Sequence, residues 1–356
     1  MTPFEQLLYN LETTRIDVSQ PFGWFHCLFL FTTLAICVII FLFRNRLQGK
    51  AFMWFIIGMW IFMVLLEATR ETIGAFNNGD IFGIGEWGWR YRWSDFPFQL
   101  CSMPLYTLLP AAVIPSKTKT QRMFKETFLS FSGTFVFFSG AVLTIYPITI
   151  LDGGTSRAWY AVYTCMWHST MAIVGFGILA SRQFKFNVYS FVKAIILFGI
   201  FVIMAVAFNE TFYYGVYTPL KNYVESMGGT FNGELYEMNN FWLSPHFKDI
   251  LSSIIDVFPF PALYFVPVIL YWIIISAGCC ANIYLAKACD ILSHYIFVQT
   301  KEHCPKCKDH NLVVWRNRNN SSVHCADFPI CHYKVKDKTK SDQIVKKYLK
   351  NKSKKI

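Results

Sequence analysis

Long runs of apolar residues dominate the first 280 positions of this 356-residue chain. A helix that crosses a membrane needs about 20 mostly apolar residues, because the hydrocarbon core is about 30 Å thick and an α-helix rises about 1.5 Å per residue. Only 15% of the residues are charged, whereas an average soluble domain has about 25%. The sequence therefore excludes an ordinary water-soluble domain and predicts an all-α, multi-pass membrane protein.

Seven segments are long and apolar enough, or nearly so, to be predicted as transmembrane helices. They cover residues 23–43, 51–67, 97–115, 127–147, 159–180, 188–209 and 262–281. Pro104 and Pro110 interrupt the third segment, which predicts a kinked helix among the others, since neighbouring groups must satisfy the freed carbonyl groups. The first segment lacks a basic start and a small-residue cleavage site, so we interpret it as a span rather than a signal peptide.

Basic residues cluster in the connections after the first, third and fifth predicted spans and in the C-terminal tail. In the connections they are Arg44, Arg46, Lys50, Lys117, Lys119, Arg122, Lys125, Arg182 and Lys185. Because basic residues favour cytoplasmic loops, the pattern predicts a cell-membrane protein with its N-terminus outside and its C-terminus inside. The net charge of +11 then lies mostly on the inner side, where it suits anionic lipid headgroups as readily as nucleic acid.

Four cysteines near the C-terminus have the spacing of a metal site. Cys304 and Cys307 are followed by Cys325 and Cys331, and between the two pairs lie a strand-like stretch at 311–316 and a turn-like stretch at 317–322. Two such pairs across a hairpin can close a tetrahedral Zn²⁺ site. We therefore predict a structural zinc ribbon over 301–335. Reduced thiols also suit a cytosolic tail.

The ribbon sequence CPKCKDHNLVVWRNRNNSSVHCADFPICHY resembles the small zinc ribbons of bacterial type IA topoisomerases. That resemblance implies nucleic acid as a partner, although the glycines usual before the third ligand are missing and there is a single copy. The residues placed to contact single strands or anionic lipid are Trp315, Arg316, Arg318 and Lys334. The alternative is a solvated basic face that contacts a protein partner or the membrane.

The rest of the chain divides around these two modules. An external segment at 1–22 precedes the membrane domain at 23–281, and a connecting helix at 282–300 leads to the ribbon. The lysine-rich residues 336–356 have the composition of a disordered tail. In the predicted fourth span, Ser132-Gly133 and Ser139-Gly140 place small residues on one face for close helix packing.

Ionisable and polar residues inside a bilayer are costly and mark functional sites by default. Here they gather in the outer half of the predicted spans, where they can converge on one pocket. His168 lies well within the fifth span, and Gln99 and Cys101 open the third. The remaining members are Glu67, Arg70, Asn209 and Asn240. A histidine that deprotonates a cysteine creates a nucleophile for acyl transfer, so Cys101 and His168 are the predicted catalytic pair and the other residues the predicted substrate-binding set.

Several motifs in residues 20–280 resemble the bacterial YwaF-type integral membrane family. They are Phe96-Pro97-Phe98-Gln99-Leu100-Cys101-Ser102-Met103, Trp167-His168, Asn209, Asn240-Phe241-Trp242-Leu243-Ser244-Pro245 and Phe258-Pro259-Phe260-Pro261-Ala262-Leu263-Tyr264. The family has histidine where this chain has Gln99, and often where it has Trp167. Its distant eukaryotic relative, transmembrane protein one-six-four, is a cysteine-dependent phospholipid acyltransferase, so the resemblance implies a lipid acyltransferase or hydrolase acting on membrane lipids.

A non-catalytic function stays open from the sequence. A transporter or sensor would also place polar groups at an interrupted helix, and its ribbon would bind nucleic acid or a protein. A retinal protein is disfavoured, because the seventh span contains no lysine for a Schiff base.

Overall fold

The computed structural model describes residues 1–17, 22–47, 49–79, 85–146, 155–181, 186–247, 264–296, 298–308, 311–316, 321–325, 331 and 333–352. Its described part is mostly helical, with six helices or continuous helical rods long and apolar enough to cross a membrane, and a small sheet near the C-terminus. The multi-pass, all-α class with a small β module is therefore confirmed.

The helices are α1 (Pro3–Thr13), α2 (Trp24–Phe43), α3 (Lys50–Ala75), α4 (Pro104–Val113), α5 (Lys119–Phe131), α6 (Phe137–Ile145), α7 (Ala158–Ser181), α8 (Val188–Phe212), α9 (Thr218–Ser226), α10 (Phe265–Cys279), α11 (Ala281–Ile296) and α12 (Lys338–Lys352). π-helical turns at Ser132–Val136 and Tyr213–Tyr217 join α5 to α6 and α8 to α9. Each pair therefore forms one long rod, Lys119–Ile145 and Val188–Ser226.

The strands form three small antiparallel sheets. Two are two-stranded, β1 (Arg15–Asp17) with β4 (Thr155–Arg157) and β2 (Phe76–Asn77) with β3 (Gly88–Trp89). The third has the order β5-β6-β7, formed by Val298–His303, Asn311–Arg316 and Ser321–Cys325. We call the end of the helix bundle where α3 ends and α7 begins the upper end, and the opposite end the lower end.

Helix α7 is the centre of the bundle. Eighteen of its 24 residues are buried, whereas α2 buries only four of 20. A helix that is apolar all round and buried all round belongs in the middle of a membrane bundle, and a helix with exposed apolar residues faces the lipid tails. The functional side chains on α7 are therefore enclosed by other helices.

A glycine sets the distance between α6 and α7. A methyl group at Gly140 would lie 2.5 Å from the backbone nitrogen of Ala172 and 2.7 Å from the carbonyl oxygen of His168. Only a residue without a side chain lets the two backbones approach this closely. The predicted packing role of this small-residue face is confirmed at Gly140.

The third predicted span is broken rather than merely kinked. Its apolar helical part, Leu100–Val113, is shorter than the 18 residues that mark a candidate span. The chain first passes Phe96–Gln99 without forming a helix, then makes a 3₁₀ turn at Leu100–Ser102 and continues as α4. The prolines permit this irregularity, because Pro104 has no N–H to leave unpaired.

Contacts with α3 and α5 fix the direction of the broken segment. Near its start, Asp95 contacts Arg70 close to the upper end of α3. Farther along, the indole of Trp60 donates to the carbonyl of Leu105, and Lys125 on α5 donates to the carbonyl of Ala112. The segment therefore descends antiparallel to α3 from the upper end towards the lower end.

The connection predicted as an outer lid at 210–261 is only partly a loop. Its first part continues the helical rod to Ser226, and 3₁₀ turns follow at Glu234–Tyr236 and Asn240–Trp242. The rest, 248–263, lies outside the described residues, as does the motif at 258–263.

The C-terminal module follows the last long helix almost without a linker. Helix α11 covers most of the predicted connecting helix and ends one residue before β5 begins. Strand β6 matches the predicted strand at 311–316. Within the stretch predicted to be disordered, Lys338–Lys352 form helix α12, which packs against the ribbon.

Candidate functional site

A cluster of charges lies inside the upper half of the bundle. Arg70 on α3 is its centre: the guanidinium lies 2.7 Å from Glu67, 2.5 Å from Glu71 and 3.5 Å from Asp95. Glu67 is buried, and its carboxylate also accepts the hydroxyl of Tyr163 on α7. Burying a charge is tolerated when it is paired and hydrogen-bonded, so the predicted residues Glu67 and Arg70 form one polar unit in the structure.

This charged cluster continues to the upper surface. Arg92 lies between Asp95, at 3.9 Å, and Glu12 on α1, at 3.7 Å. Glu12 also pairs with Arg157 at the start of α7. The N-terminal helix, predicted only as an external segment, is thus tied to the membrane domain by ion pairs.

Cys101 lies beside α7 near the level of His168. The indole nitrogen of Trp167 donates to the backbone carbonyl of Cys101 at 2.9 Å, and Trp167 directly precedes His168. His168 is ten residues after the first residue of α7, about 15 Å below its upper end at about 1.5 Å per residue. The level that the sequence predicts for Cys101 depends on where its span begins, and this contact brings its backbone to within one indole side chain of α7 at Trp167.

The two side chains are nevertheless not hydrogen-bonded to each other. Nδ1 of His168 lies 2.8 Å from the carbonyl oxygen of Thr164. Because a carbonyl only accepts, Nδ1 carries the proton and Nε2 keeps its lone pair. Nε2 is buried and has no hydrogen-bond partner among the described residues. The predicted catalytic pair is therefore close in level but is not assembled as a dyad.

Three of the predicted binding residues meet at a second polar junction. The amide of Asn209 on α8 makes a reciprocal pair with the backbone of Asn240, at 2.8 and 3.1 Å. The amide nitrogen of Gln99 donates to the carbonyl of Asn239 at 2.7 Å. Two stretches outside the α-helices are thus joined beside Cys101, namely 96–99 and 239–244, the second of which contains the 3₁₀ turn Asn240–Trp242.

The backbone at this junction is strained. Phe241 and Trp242 both have positive φ angles, 56° and 55°, a conformation that is rare for bulky residues. Phe241 is fully buried, and its ring packs against Phe98 and Tyr271. Strain of this kind persists only where surrounding contacts impose it, and it concentrates at functional sites.

Polar atoms without partners remain at the junction. Oε1 of Gln99, Nδ2 of Asn240 and the hydroxyl of Tyr271 are buried and have no hydrogen-bond partner among the described residues. Such atoms are rare in proteins because each costs roughly 1–3 kcal/mol. The sequence gives no signal for Tyr271, since a tyrosine within an apolar helix is unremarkable by composition alone.

The four ribbon cysteines form a compact cluster. The sulfur atoms of Cys304 and Cys331 lie 3.5 Å apart, as do those of Cys307 and Cys325, and all four lie within 4.8 Å of one another. A tetrahedral zinc site with Zn–S bonds of about 2.3 Å requires sulfur separations of about 3.8 Å. The predicted ligand set is therefore brought together, and the donors fit a thiolate-binding metal.

The knuckle at Cys304 favours the thiolate. Burial raises the pKa of this thiol, but hydrogen bonds from the backbone of Cys307 and Lys306 outweigh it, and the net pKa is below the ordinary value. Backbone N–H groups that point at a sulfur stabilise its negative charge. This is the charge state in which cysteine binds metal.

The residues predicted to contact nucleic acid are only partly described. Trp315 and Arg316 lie on β6, but their side chains and the whole of Arg318 are outside the described part. Lys334 is exposed and pairs through its backbone with His324. Nucleic-acid contact at this surface stays a prediction.

The arrangement defines the chain as a multi-pass membrane protein with an internal polar site and a four-cysteine cluster of metal-binding geometry. Comparison with models of known families, with curated proteins and with solved structures found no match. The function is therefore inferred from the site alone.

Proposed function

We propose that this chain binds an amphipathic ligand, with a lipid as the preferred class, at the junction between residues 96–99 and 239–244. One observation carries the proposal: two non-helical stretches meet inside a bundle of apolar helices and leave polar atoms unpaired. Irregular backbone at membrane depth occurs where it is buried in protein or lines a cavity, and broken helices mark the binding sites of many transporters.

The unpaired atoms suggest the chemistry of the ligand. Gln99 offers an acceptor, Asn240 a donor, and Tyr271 either. A neutral group with both donor and acceptor atoms, such as the hydroxyl and ester groups of a glycerolipid, would satisfy them. The acyl chains would lie among the apolar side chains around the junction.

Removing a single hydroxyl group tests this site with little disturbance of the surrounding packing. In Tyr271→Phe the ring packing is kept and only the unpaired hydroxyl is lost, so we expect the fold to survive and lipid retained through purification to fall about two- to tenfold. Tyr284→Phe is the matched control, because Tyr284 is 71% exposed on α11. Retained lipid is measured by mass spectrometry of extracts. Equal retention in both variants would contradict the proposal.

The topology proposed for this function has seven crossings. The broken segment 96–113 is the third, the N-terminus lies outside the cell membrane, and the C-terminal ribbon lies in the cytoplasm. Basic connections at the lower end support this orientation, as does the descent of the broken segment along α3. Membership of the YwaF-type family is part of the same proposal and depends on the motifs quoted above.

A second candidate is acyl transfer through Cys101, and the free lone pair of His168 favours it. The thiol would lose its proton to His168 and attack an ester carbonyl, giving a thioester while the departing alcohol takes up the proton. A second alcohol or water would then release the acyl group. Because the two side chains are not hydrogen-bonded, the reaction requires a rotamer change or a bridging group. Binding is therefore the better supported function.

Intact-mass analysis separates the two candidates. If catalysis occurs, protein purified with phospholipid carries an adduct of fatty-acyl mass, and this adduct is absent in Cys101→Ser. In His168→Ala the adduct fails to form if His168 is needed to make the thioester, and it accumulates if His168 is needed only to release the acyl group. Cys165→Ser is the matched control, since Cys165 lies inside the bundle, where it is buried, and Cys101 is partly buried there. If no adduct forms while lipid still co-purifies, the site binds without chemistry.

We also propose that the metal of the ribbon is Zn²⁺. Four thiolates in tetrahedral reach are the donor set that zinc prefers in structural sites. Elemental analysis of the purified chain should give about one zinc per molecule and none in Cys304→Ser. A stoichiometric amount of iron in place of zinc would overturn this assignment.

A further inference from the structure

Helix α12 is fixed to the ribbon along one narrow stripe. Ser341 and Ile344 are buried and Val345 is partly buried, a spacing of three and four residues that places them on one helix face. Ile344 packs into the same small core as the four cysteines. At the start of the helix, Asp337 accepts the backbone N–H groups of Thr339 and Lys340. The helix is therefore an ordered part of the module.

The rest of the helix and the residues just before it present lysines. Those that are exposed are Lys334, Lys336, Lys338, Lys340, Lys346 and Lys347. Asp337 and Asp342 offset them in this stretch, which leaves a net charge of +4 on residues 334–347, and Glu302 on β5 pairs with Lys347 at 3.3 Å. Because the apolar stripe holds the helix in place, these lysines are distributed over the exposed side of an ordered helix and the residues before it, which we call the lysine face.

The ribbon follows the last candidate span closely along the chain. That candidate span ends at Cys289, and α11 continues for seven residues to Ile296, which is about 10 Å. One residue separates Ile296 from the start of β5 at Val298, so the ribbon is attached a short distance beyond the candidate span. The basic connections at Arg44–Lys50 and Lys117–Arg122 lie at the same lower end of the bundle.

We propose that the lysine face docks on anionic lipid headgroups of the leaflet next to the lower end. The charge complements a negative bilayer surface, and the short connection keeps the ribbon near that surface, where electrostatic attraction acts over about a Debye length. A tethered surface also needs little intrinsic affinity, because the covalent link supplies a high effective concentration. Docking would fix the ribbon against the membrane.

The test uses the full chain in lipid nanodiscs. One set contains only phosphatidylcholine and the other contains phosphatidylcholine with 30 mol% phosphatidylserine. An amine-reactive reagent labels exposed lysines, and mass spectrometry gives the rate at each position. We expect labelling of Lys336 and Lys347 to slow at least fivefold in the anionic discs, and to recover in about 0.5 M salt, since salt screens exposed charges. Lys221 on α9 should not change and serves as the internal control.

A triple variant tests the surface itself. Lys338→Gln/Lys340→Gln/Lys346→Gln removes three charges that do not pack in the ribbon core, and each lysine near an anionic surface changes affinity about fivefold. We expect the lipid-dependent protection of Lys336 and Lys347 to be lost while the metal content stays unchanged.

Two results would overturn the proposal. Equal labelling in both kinds of disc would show that anionic lipid does not contact the face. Stronger protection by a single-stranded oligonucleotide in pure phosphatidylcholine discs than by phosphatidylserine would assign the lysine face to nucleic acid instead.

Discussion

The membrane body and the ribbon keep polar atoms inside the protein in opposite ways. The body has a large apolar core around α7 and admits an ion cluster and two broken segments within it. The core cluster of the ribbon contains eight buried residues among those described, and three of them are cysteines. A module this small cannot stabilise itself by apolar burial alone. The body therefore depends on packing and paired charges, whereas the ribbon is expected to depend on the metal proposed for its four cysteines.

Metal removal should give the largest difference in stability between the two regions. Structural zinc contributes about 10–16 kcal/mol to the folding of small modules, so chelation or Cys304→Ser should unfold residues 298–352 and leave the helices of the body intact. Limited proteolysis reports the first effect and circular dichroism the second. Cys280→Ser is the control, because Cys280 is exposed and outside the ligand set. Loss of the body together with the ribbon would show that the two regions fold as one unit.

The ion cluster should give the next largest effect, and only in the body. Arg70→Met leaves Glu67, Glu71 and Asp95 without their shared partner, and breaking a buried pair costs about 3–5 kcal/mol. We expect a clear fall in the thermal unfolding temperature of the body in detergent, with no change in metal content.

The matched control is an exposed ion pair. Lys221 and Glu225 lie 3.9 Å apart with about half of each side chain exposed, and such pairs contribute about 1 kcal/mol or less. Lys221→Met should therefore leave the unfolding temperature almost unchanged. Similar losses for Arg70→Met and Lys221→Met would mean that the Arg70 cluster is solvated rather than buried.

How well the sequence predicts each region depends on how far apart along the chain the interacting residues lie. Spans and ribbon ligands follow from local rules, namely apolar runs and cysteine spacing. The junction does not, because Gln99 is held by Asn239, 140 residues away. Whether His168 meets Cys101 depends on which side of α7 His168 faces and on which side of α7 the turn that carries Cys101 packs, and the sequence predicts the level of the two residues better than these orientations.

Helix α12 is a different case, in which local composition predicts disorder and the structure contains a helix. Its composition is that of a disordered tail, and among the side chains that the structure describes Ser341, Ile344 and Val345 form the face that packs. The many lysines of this stretch outweigh such a face when composition alone is considered. The ribbon core provides the partner that turns this weak pattern into a helix.

Close helix packing should give a smaller but still measurable effect in the body. In Gly140→Ala the added methyl group meets the backbone of α7 at 2.5 Å, so the helices must separate, and overpacking of this kind costs about 1–3 kcal/mol. Gly58→Ala is the control, because nothing lies within 4 Å of a methyl group there. The unfolding temperature should fall for Gly140→Ala and stay level or rise for Gly58→Ala. The reverse order would contradict the close contact between α6 and α7.

The smallest expected effect comes from removing one helix N-cap in each region. Thr118 caps α5 through a reciprocal pair with Gln121, and Asp337 caps α12. Losing either cap costs about 1 kcal/mol. In Thr118→Ala this loss is small beside the packing of a rod that crosses the whole bundle, so we expect almost no shift in the unfolding temperature of the body.

In Asp337→Ala the same loss should appear in full as weaker metal binding. Folding and metal binding are coupled in a small ribbon, so about 1 kcal/mol corresponds to a roughly fivefold lower affinity in a chelator competition assay. Thr118→Ala provides the baseline for that assay, since it leaves the ribbon untouched. An unchanged metal affinity in Asp337→Ala would mean that the ribbon folds without its helix, and the lysine face would then be an attachment to the module rather than part of it.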